Sequence, residues 1–200
     1  MSSVFIKLCG MTSPEAVRAA LDLEVDAIGF VFAPSVRELS VARAIELAAP
    51  ARRRVACVAV TRHPTRAAID AILGGFKPDI LQTDIDDLDA LELPAELSVL
   101  PVMRSGLAGA CAVPRRVLFE GPVSGSGQTT DWQQAAGLAQ RTQLILAGGL
   151  DAANVAAAIR RVHPFGVDVS SGVEERPGIK SILKIGQFVA AARAAALETA

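Results

Sequence analysis

Residues 144–172 read LILAGGLDAANVAAAIRRVHPFGVDVSSG. An apolar run, 144–147, ends in the pair Gly148-Gly149. An alanine-rich stretch, 152–161, follows Asp151, a residue type that caps helix N-termini. A second apolar run, 166–170, then ends in Ser170-Ser171-Gly172. The order is strand, glycine turn, helix, strand, glycine turn. Both runs are continuously apolar over most of their length rather than alternating, as expected of parallel strands covered on both faces.

The same unit recurs outward from this segment. Strand-like runs lie at 5–9, 27–32, 55–60, 79–83, 98–103 and 117–120, making eight in all. Helical stretches are expected at 14–23, 41–49, 64–73, 86–91, 132–139 and 182–197, besides 152–161. Ser13 ahead of Pro14, Ser40 ahead of Val41 and Asp151 ahead of Ala152 supply start signals. The segment 105–116 carries two glycines and a proline and is too short for a helix with both its loops. A loop is expected there in place of the fifth helix. Eight βα units in 200 residues predict a single α/β domain over 1–200, a (β/α)8 TIM barrel. A doubly wound open sheet is the alternative.

Composition narrows the function. The chain is 51 % apolar and 20 % charged, with a net charge of −1. It has no basic field for nucleic acid or an anionic membrane, so any anion site must be local. No apolar run approaches the roughly 20 residues of a membrane span, and residues 1–7 do not read as a secretory leader. Cys9, Cys57 and Cys111 are odd in number and widely spaced, which fits a reducing cytoplasm. No Cys/His cluster has metal-ligand spacing, and the histidines are His63 and His163. No structural zinc site is expected.

In a barrel of this kind the reacting groups gather at the C-terminal ends of the strands. Cys9, Arg37, His63, Gln82, Asp84, Arg104, Glu120, Asp168 and Ser170 fall at or just beyond those ends. His163 precedes the last strand and belongs to the opposite face. The turns Ala147-Gly148-Gly149-Leu150 and Ser170-Ser171-Gly172-Val173 follow strands seven and eight, where backbone amides can cradle a phosphate. Cys9 ends the first strand, from which its side chain can enter the barrel mouth. Buried thiols are more often inert packing. Glu120 ends an apolar strand. It is either a carboxyl raised in pKa by burial, suited to general acid work, or half of an ion pair with an arginine.

These residues together resemble the phosphoribosylanthranilate isomerase family. Lys7-Leu8-Cys9-Gly10-Met11-Thr12 is similar to its K-I/L-C-G-I/L-T opening. Gly29 to Phe32 with Ser35-Val36-Arg37 and Ser40 resembles its second unit. Gly125-Ser126-Gly127 with Asp131-Trp132 resembles its sixth. Leu146 to Leu150 with Asn154-Val155 resembles its seventh, and Gly166 to Glu174 with Pro177-Gly178 its eighth. The resemblance spans nearly the whole chain and implies a barrel enzyme of tryptophan biosynthesis. Its expected reaction is the Amadori rearrangement of N-(5-phosphoribosyl)anthranilate to 1-(2-carboxyphenylamino)-1-deoxyribulose 5-phosphate, with no cofactor. It implies Cys9 as general base, Glu120 as general acid and Arg37 as clamp for the anthranilate carboxylate. Gln82 and Gly127 would line the substrate site, with Asp168 near the sugar hydroxyls. Gly148, Gly149, Leu150, Ser170, Ser171 and Gly172 would hold the phosphate. The implied partner is this small molecule alone, with a monomer or homodimer in the cytoplasm.

Three positions depart from the family pattern. Glu120 stands where an aspartate is usual, Asp84 where a neutral or positive group is usual, and Gln128 where a lysine is common. Together they leave room for a divergent enzyme with altered rate or substrate, and Glu120 with the altered end of the fourth strand opens an alternative, a non-catalytic barrel that binds a sugar phosphate. A related sugar isomerase of histidine biosynthesis resembles an aspartate at the position of Cys9 and a longer chain, and is disfavoured. The small polar stretch 121–130 is expected to close over the site as a lid.

Overall fold

The computed structural model describes residues 4–104, 113–121 and 130–199. Eight strands close into one barrel, each parallel to its neighbours: β1 (Phe5–Cys9), β2 (Ala27–Val31), β3 (Ala56–Val60), β4 (Ile80–Asp84), β5 (Ser98–Arg104), β6 (Arg116–Glu120), β7 (Gln143–Leu146) and β8 (Gly166–Val169), with β8 pairing back to β1. The open-sheet alternative is thereby excluded. The loop expected at 105–116 lies largely outside the described residues, as do Cys111, Gly127 and Gln128.

Successive side chains on each strand point to opposite faces. One set, including Ile6, Leu8, Ile28, Phe30, Leu81, Phe119, Leu144 and Val167, joins the helices in an outer core. The other fills the barrel with Leu100, Val102, Leu118, Ile145 and Ala147, backed by Phe5, Ile80 and Phe165. Phe5 stacks on Phe165 at 5.6 Å, and Arg116 lies over the Phe165 ring at 4.6 Å, closing the N-terminal end. The strands therefore read as unbroken apolar runs because both faces are dry.

The helices are α1 (Pro14–Asp22), α2 (Val41–Ala48), α3 (Arg66–Ala71), α4 (Trp132–Ala139), α5 (Val155–Val162) and α6 (Ile182–Thr199). Ser13 and Ser40 cap α1 and α2 through their hydroxyls, as the sequence predicts. Asp151 does not cap α5. Its carboxylate accepts from the amides of Ala153 and Asn154 and shapes a turn, so the helix starts three residues later than its start signal implies. The helix expected at 86–91 is instead a 3-10 turn, Ile85–Ala90. Three aspartates in six residues are poor helix formers, and Pro94 follows closely. The stretch 64–73 begins as α3 behind the Thr65 cap and ends in a π turn, Ile72–Phe76, which contains Gly74 and Gly75.

Candidate active site

The polar side chains that point into the barrel sit above its apolar floor, towards the C-terminal mouth. Lys7 and Cys9 are two residues apart on β1 and therefore share the inner face. Lys7 is completely buried and donates to Asp168 Oδ1 at 2.7 Å. The pair is made by strand register, since Lys7 and Asp168 are direct partners across the β1–β8 ladder. Burial opposes the ammonium, but Asp168 and the neighbouring Cys9 sulfur outweigh it and hold Lys7 above the usual lysine value. Burial likewise pushes the Cys9 thiol up, and Asp168 adds to this. The ammonium groups of Lys7 and Lys180 pull it back only in part.

Gly29, the β2 partner of Cys9, makes room for the sulfur. A Cβ at Gly29 would lie 3.0 Å from Cys9 Sγ and 3.3 Å from Val60 Cγ2.

Next to the thiol is a second buried network. The loop after β8 folds into a small antiparallel pair, β9 (Glu174–Arg176) and β10 (Ile179–Lys180). Arg37 packs against Gly10 and pairs bidentately with Glu174, Nε to Oε1 at 2.7 Å and Nη2 to Oε2 at 2.8 Å. Glu174 also accepts from Lys180 Nζ at 2.9 Å through Oε1 and from the Gly178 amide at 3.2 Å through Oε2. Lys180 also donates to the Ser170 carbonyl at 2.9 Å. Burial alone would raise the Glu174 carboxyl, but Arg37 and Lys180 hold it below the usual carboxylate range. Lys180 is lowered by burial despite Glu174. Arg37 thus uses the Nε–Nη2 edge of its fork inside the protein.

On the other side of the mouth three consecutive strands contribute one chain of charges. Arg104 at the end of β5 reaches Asp84 Oδ1 on β4 at 2.6 Å and Glu120 Oε1 on β6 at 2.9 Å. Of the two sequence readings of Glu120, the structure realises the ion pair. Asp84 Oδ2 makes no hydrogen bond, yet His63 Nε2 is 3.4 Å away and Arg62 Nε 3.9 Å. These are electrostatic contacts only, at the edge of useful geometry. His63 is held by Asp87, which takes its Nδ1 at 2.7 Å and its backbone amide at 3.0 Å. Gln82 is buried on the same strand as Asp84, with its Oε1 unpartnered.

The two glycine turns meet. Gly148 and Gly149 have φ of 89° and 67°, values that exclude most side chains. Asn154 locks the turn by donating to the Gly149 carbonyl at 2.7 Å. Gly172 lies so close beneath it that a Cβ there would overlap the Leu150 carbonyl oxygen. Leu150 is buried, and Ser170 and Ser171 lead into a 3-10 turn, Ser171–Val173. His163 caps the C-terminal end of α5 at φ 49°, away from the mouth.

The structure therefore gathers Cys9, Arg37, Asp168 and Ser170 on one side of the mouth and Glu120 with Gln82 on the other. Reading the sequence alone passes over Lys7, Glu174, Lys180, Gly29 and the bridging role of Arg104. Lys7 carries a usable signal, because the period of two from Cys9 points it into the barrel.

A profile of the N-(5′-phosphoribosyl)anthranilate (PRA) isomerase family matches residues 6–191. The N-(5′-phosphoribosyl)anthranilate isomerase of Nitrobacter hamburgensis is 37 % identical over 212 residues, covering 96 % of this chain and 94 % of its own. The crystal structure of TrpF from Jonesia denitrificans superposes with a TM-score of 0.80 at 36 % identity, covering 97 % of this chain and 98 % of that one. A phosphoribosyl anthranilate isomerase solved with reduced 1-(o-carboxyphenylamino)-1-deoxyribulose 5-phosphate gives 0.78 at 27 % identity, over 96 % and 99 %. A barrel with a thiol and a carboxyl at its mouth, matched along nearly its whole length by these proteins, is a member of the N-(5′-phosphoribosyl)anthranilate isomerase family.

Proposed function

We propose that this chain rearranges N-(5′-phosphoribosyl)anthranilate with Glu120 as general acid and Cys9 as general base. Glu120 gives a proton to the ribose ring oxygen, the C1–O bond breaks, and the anilino nitrogen lone pair forms the C1=N bond of a Schiff base. The Cys9 thiolate takes the proton from C2. That C–H pair becomes C1=C2, and the C=N pair returns to nitrogen. Transfer of the thiol proton to C1 and of the O2 proton to Glu120 yields the aminoketone and resets both groups. The substrate nitrogen is the electron sink, so the scheme needs no redox partner.

The observation that carries this reading is the place of Cys9: a thiol at the C-terminal end of β1, on the inner face of the barrel, with the fully buried Lys7 two residues before it and Lys180 nearby. The two cations offset part of the burial that disfavours the thiolate a base requires. Arg37 is assigned to the anthranilate carboxylate through its Nη1 edge. The contacting turns around Gly148, Gly149, Leu150, Ser171 and Gly172 are assigned to the phosphate. Asp168 orients Lys7 and, through it, Cys9, which differs from a place beside the sugar hydroxyls. Gln82 lines the site from β4. Among the described residues no helix is long and apolar enough to cross a membrane.

Loss of substrate fluorescence on turnover tests the reading. Cys9→Ala and Glu120→Gln are each expected to lose on the order of 10²–10⁴ in kcat. Wild-type protein that binds the substrate without converting it establishes the sugar-phosphate-binding barrel instead.

A further inference from the structure

Lys180 is a buried cation to which the proposed reaction gives no step. Its side chain is fully shielded from solvent, and that of its partner Glu174 is 4 % exposed. We propose that Lys180 is a positioning residue that ties the phosphate turn at Ser170 to the Glu174–Arg37 clamp, so that the two anionic ends of the substrate are held in one register beside Cys9. The inference rests on the assignment of Arg37 to the carboxylate and of the turn to the phosphate.

The β9–β10 hairpin pairs Lys180 with Glu174 and brings it back to the point where the chain leaves β8. An ammonium carries three protons. Three acceptors converge on this one: the Ser170 carbonyl at 2.9 Å, Ser170 Oγ at 3.3 Å and Glu174 Oε1 at 2.9 Å. With its donors directed at protein groups and no surface open to solvent, Lys180 does not bind the substrate itself. It joins the groups that do. Neutralisation of Glu174 does not call for it, because Arg37 already pairs that carboxylate bidentately. What Lys180 adds is the bond to Ser170.

Both ends of the tie are anchored. Glu174 accepts the Gly178 amide at 3.2 Å, and Lys184 on α6 donates to the Glu174 carbonyl at 2.7 Å. Thr12, in the loop after β1, donates to the Gly178 carbonyl at 2.6 Å. Ser170 leads into the turn Ser171–Val173, where Gly172 abuts the Leu150 carbonyl. The two ends also meet at Gly10, the residue after the thiol. A Cβ there would lie 2.6 Å from Arg37 Cδ and 3.2 Å from Ser170 Oγ. Arg37 and Ser170 therefore both close on the end of β1, and Lys180 sets the spacing between them.

A ligand that spans two subsites meets the second at high effective concentration only while the spacing matches its own length. Loosening the spacing leaves each subsite in place and removes that gain.

The test compares whole and split ligands by isothermal titration calorimetry. The aminoketone product carries both anions; anthranilate and inorganic phosphate carry one end each. In Lys180→Met the product is expected to bind on the order of 10²-fold more weakly, while each fragment binds within about threefold of its wild-type strength. Lys180→Arg keeps the charge but replaces three converging donors by a planar fork. It is expected to show the same pattern, which secures the result if Lys180→Met folds poorly. Product binding at wild-type strength in either folded variant overturns the proposal. So does a loss of phosphate affinity as large as the loss of product affinity, which would make Lys180 a direct ligand. Either result leaves the proposed function standing. Wild-type protein that does not bind the product overturns that function, and this inference falls with it.

Discussion

Replacing Lys7 by methionine removes the cation at the centre of the barrel while leaving comparable bulk. Lys7 is fully buried, and its carboxylate partner at 2.7 Å, Asp168, is nearly so. The variant strands Asp168 in a poorly solvated interior, a change that costs about 3–5 kcal/mol when one member of a buried pair is deleted. For a chain of this size each kcal/mol lowers Tm by about 2–4 °C, so a fall of roughly 6–20 °C is expected. Urea unfolding at pH 7 and thermal melts followed by circular dichroism measure it. Removing both charges in Lys7→Met/Asp168→Leu should restore most of the loss, because an apolar pair of similar volume replaces the ion pair. The pH dependence has a definite sign. The folded-state value of Lys7 is raised, so its contribution is complete below the unfolded value near 10.4 and is lost as pH rises through the folded value. The gap between wild type and Lys7→Met should be flat from pH 7 to about 10 and narrow above that. Cys9 also loses the cation that lowers it, so the low-pH limb of activity should move up. A deficit below about 1 kcal/mol, or a double variant no more stable than the single one, refutes this account.

Gly172→Ala drives a methyl into the Leu150 carbonyl and must part the loops after β7 and β8. KM is expected to rise on the order of tenfold with a smaller change in kcat, measured by steady-state kinetics; an unchanged KM places the phosphate elsewhere. Glu174→Gln leaves Arg37 and Lys180 with a neutral partner. A loss of about 2–4 kcal/mol is expected at pH 7, together with a raised KM as Arg37 loses its brace. Burial raises the Glu174 carboxyl, and its two cations lower it further than that, below the usual range. The wild-type advantage is thus complete above the unfolded value near 4.3 and fades as pH falls through the folded value. Unfolding curves of the two proteins should converge on acidification.

Much of the fold was legible because a closed parallel barrel imposes a local signature. Each strand is dry on both faces, so each reads as a short apolar run, and the chemistry-bearing residues stand where those runs stop. Cys9, Glu120, Asp168 and the two glycine turns were found on that ground. Local signals failed where two local preferences compete. Asp151 satisfied the turn at 152–154 rather than the helix behind it, and Ile85–Ala90 stopped at a 3-10 turn because its three aspartates are poor helix formers and the Asp87 carboxylate is engaged by His63 and Thr83.

The eight-unit alternation and the roster of polar groups at the strand ends follow from patterns a few residues long, and the chain carries both before it folds. Which charge neutralises which is settled by closure of the barrel. Lys7 meets Asp168 across 161 residues and Arg37 meets Glu174 across 137, because the last strand closes against the first. Arg104 lies between Asp84 and Glu120 because β4, β5 and β6 are neighbours in one sheet. Electrostatic partnership depends on distance and shielding from water, and both come into being only when the barrel closes.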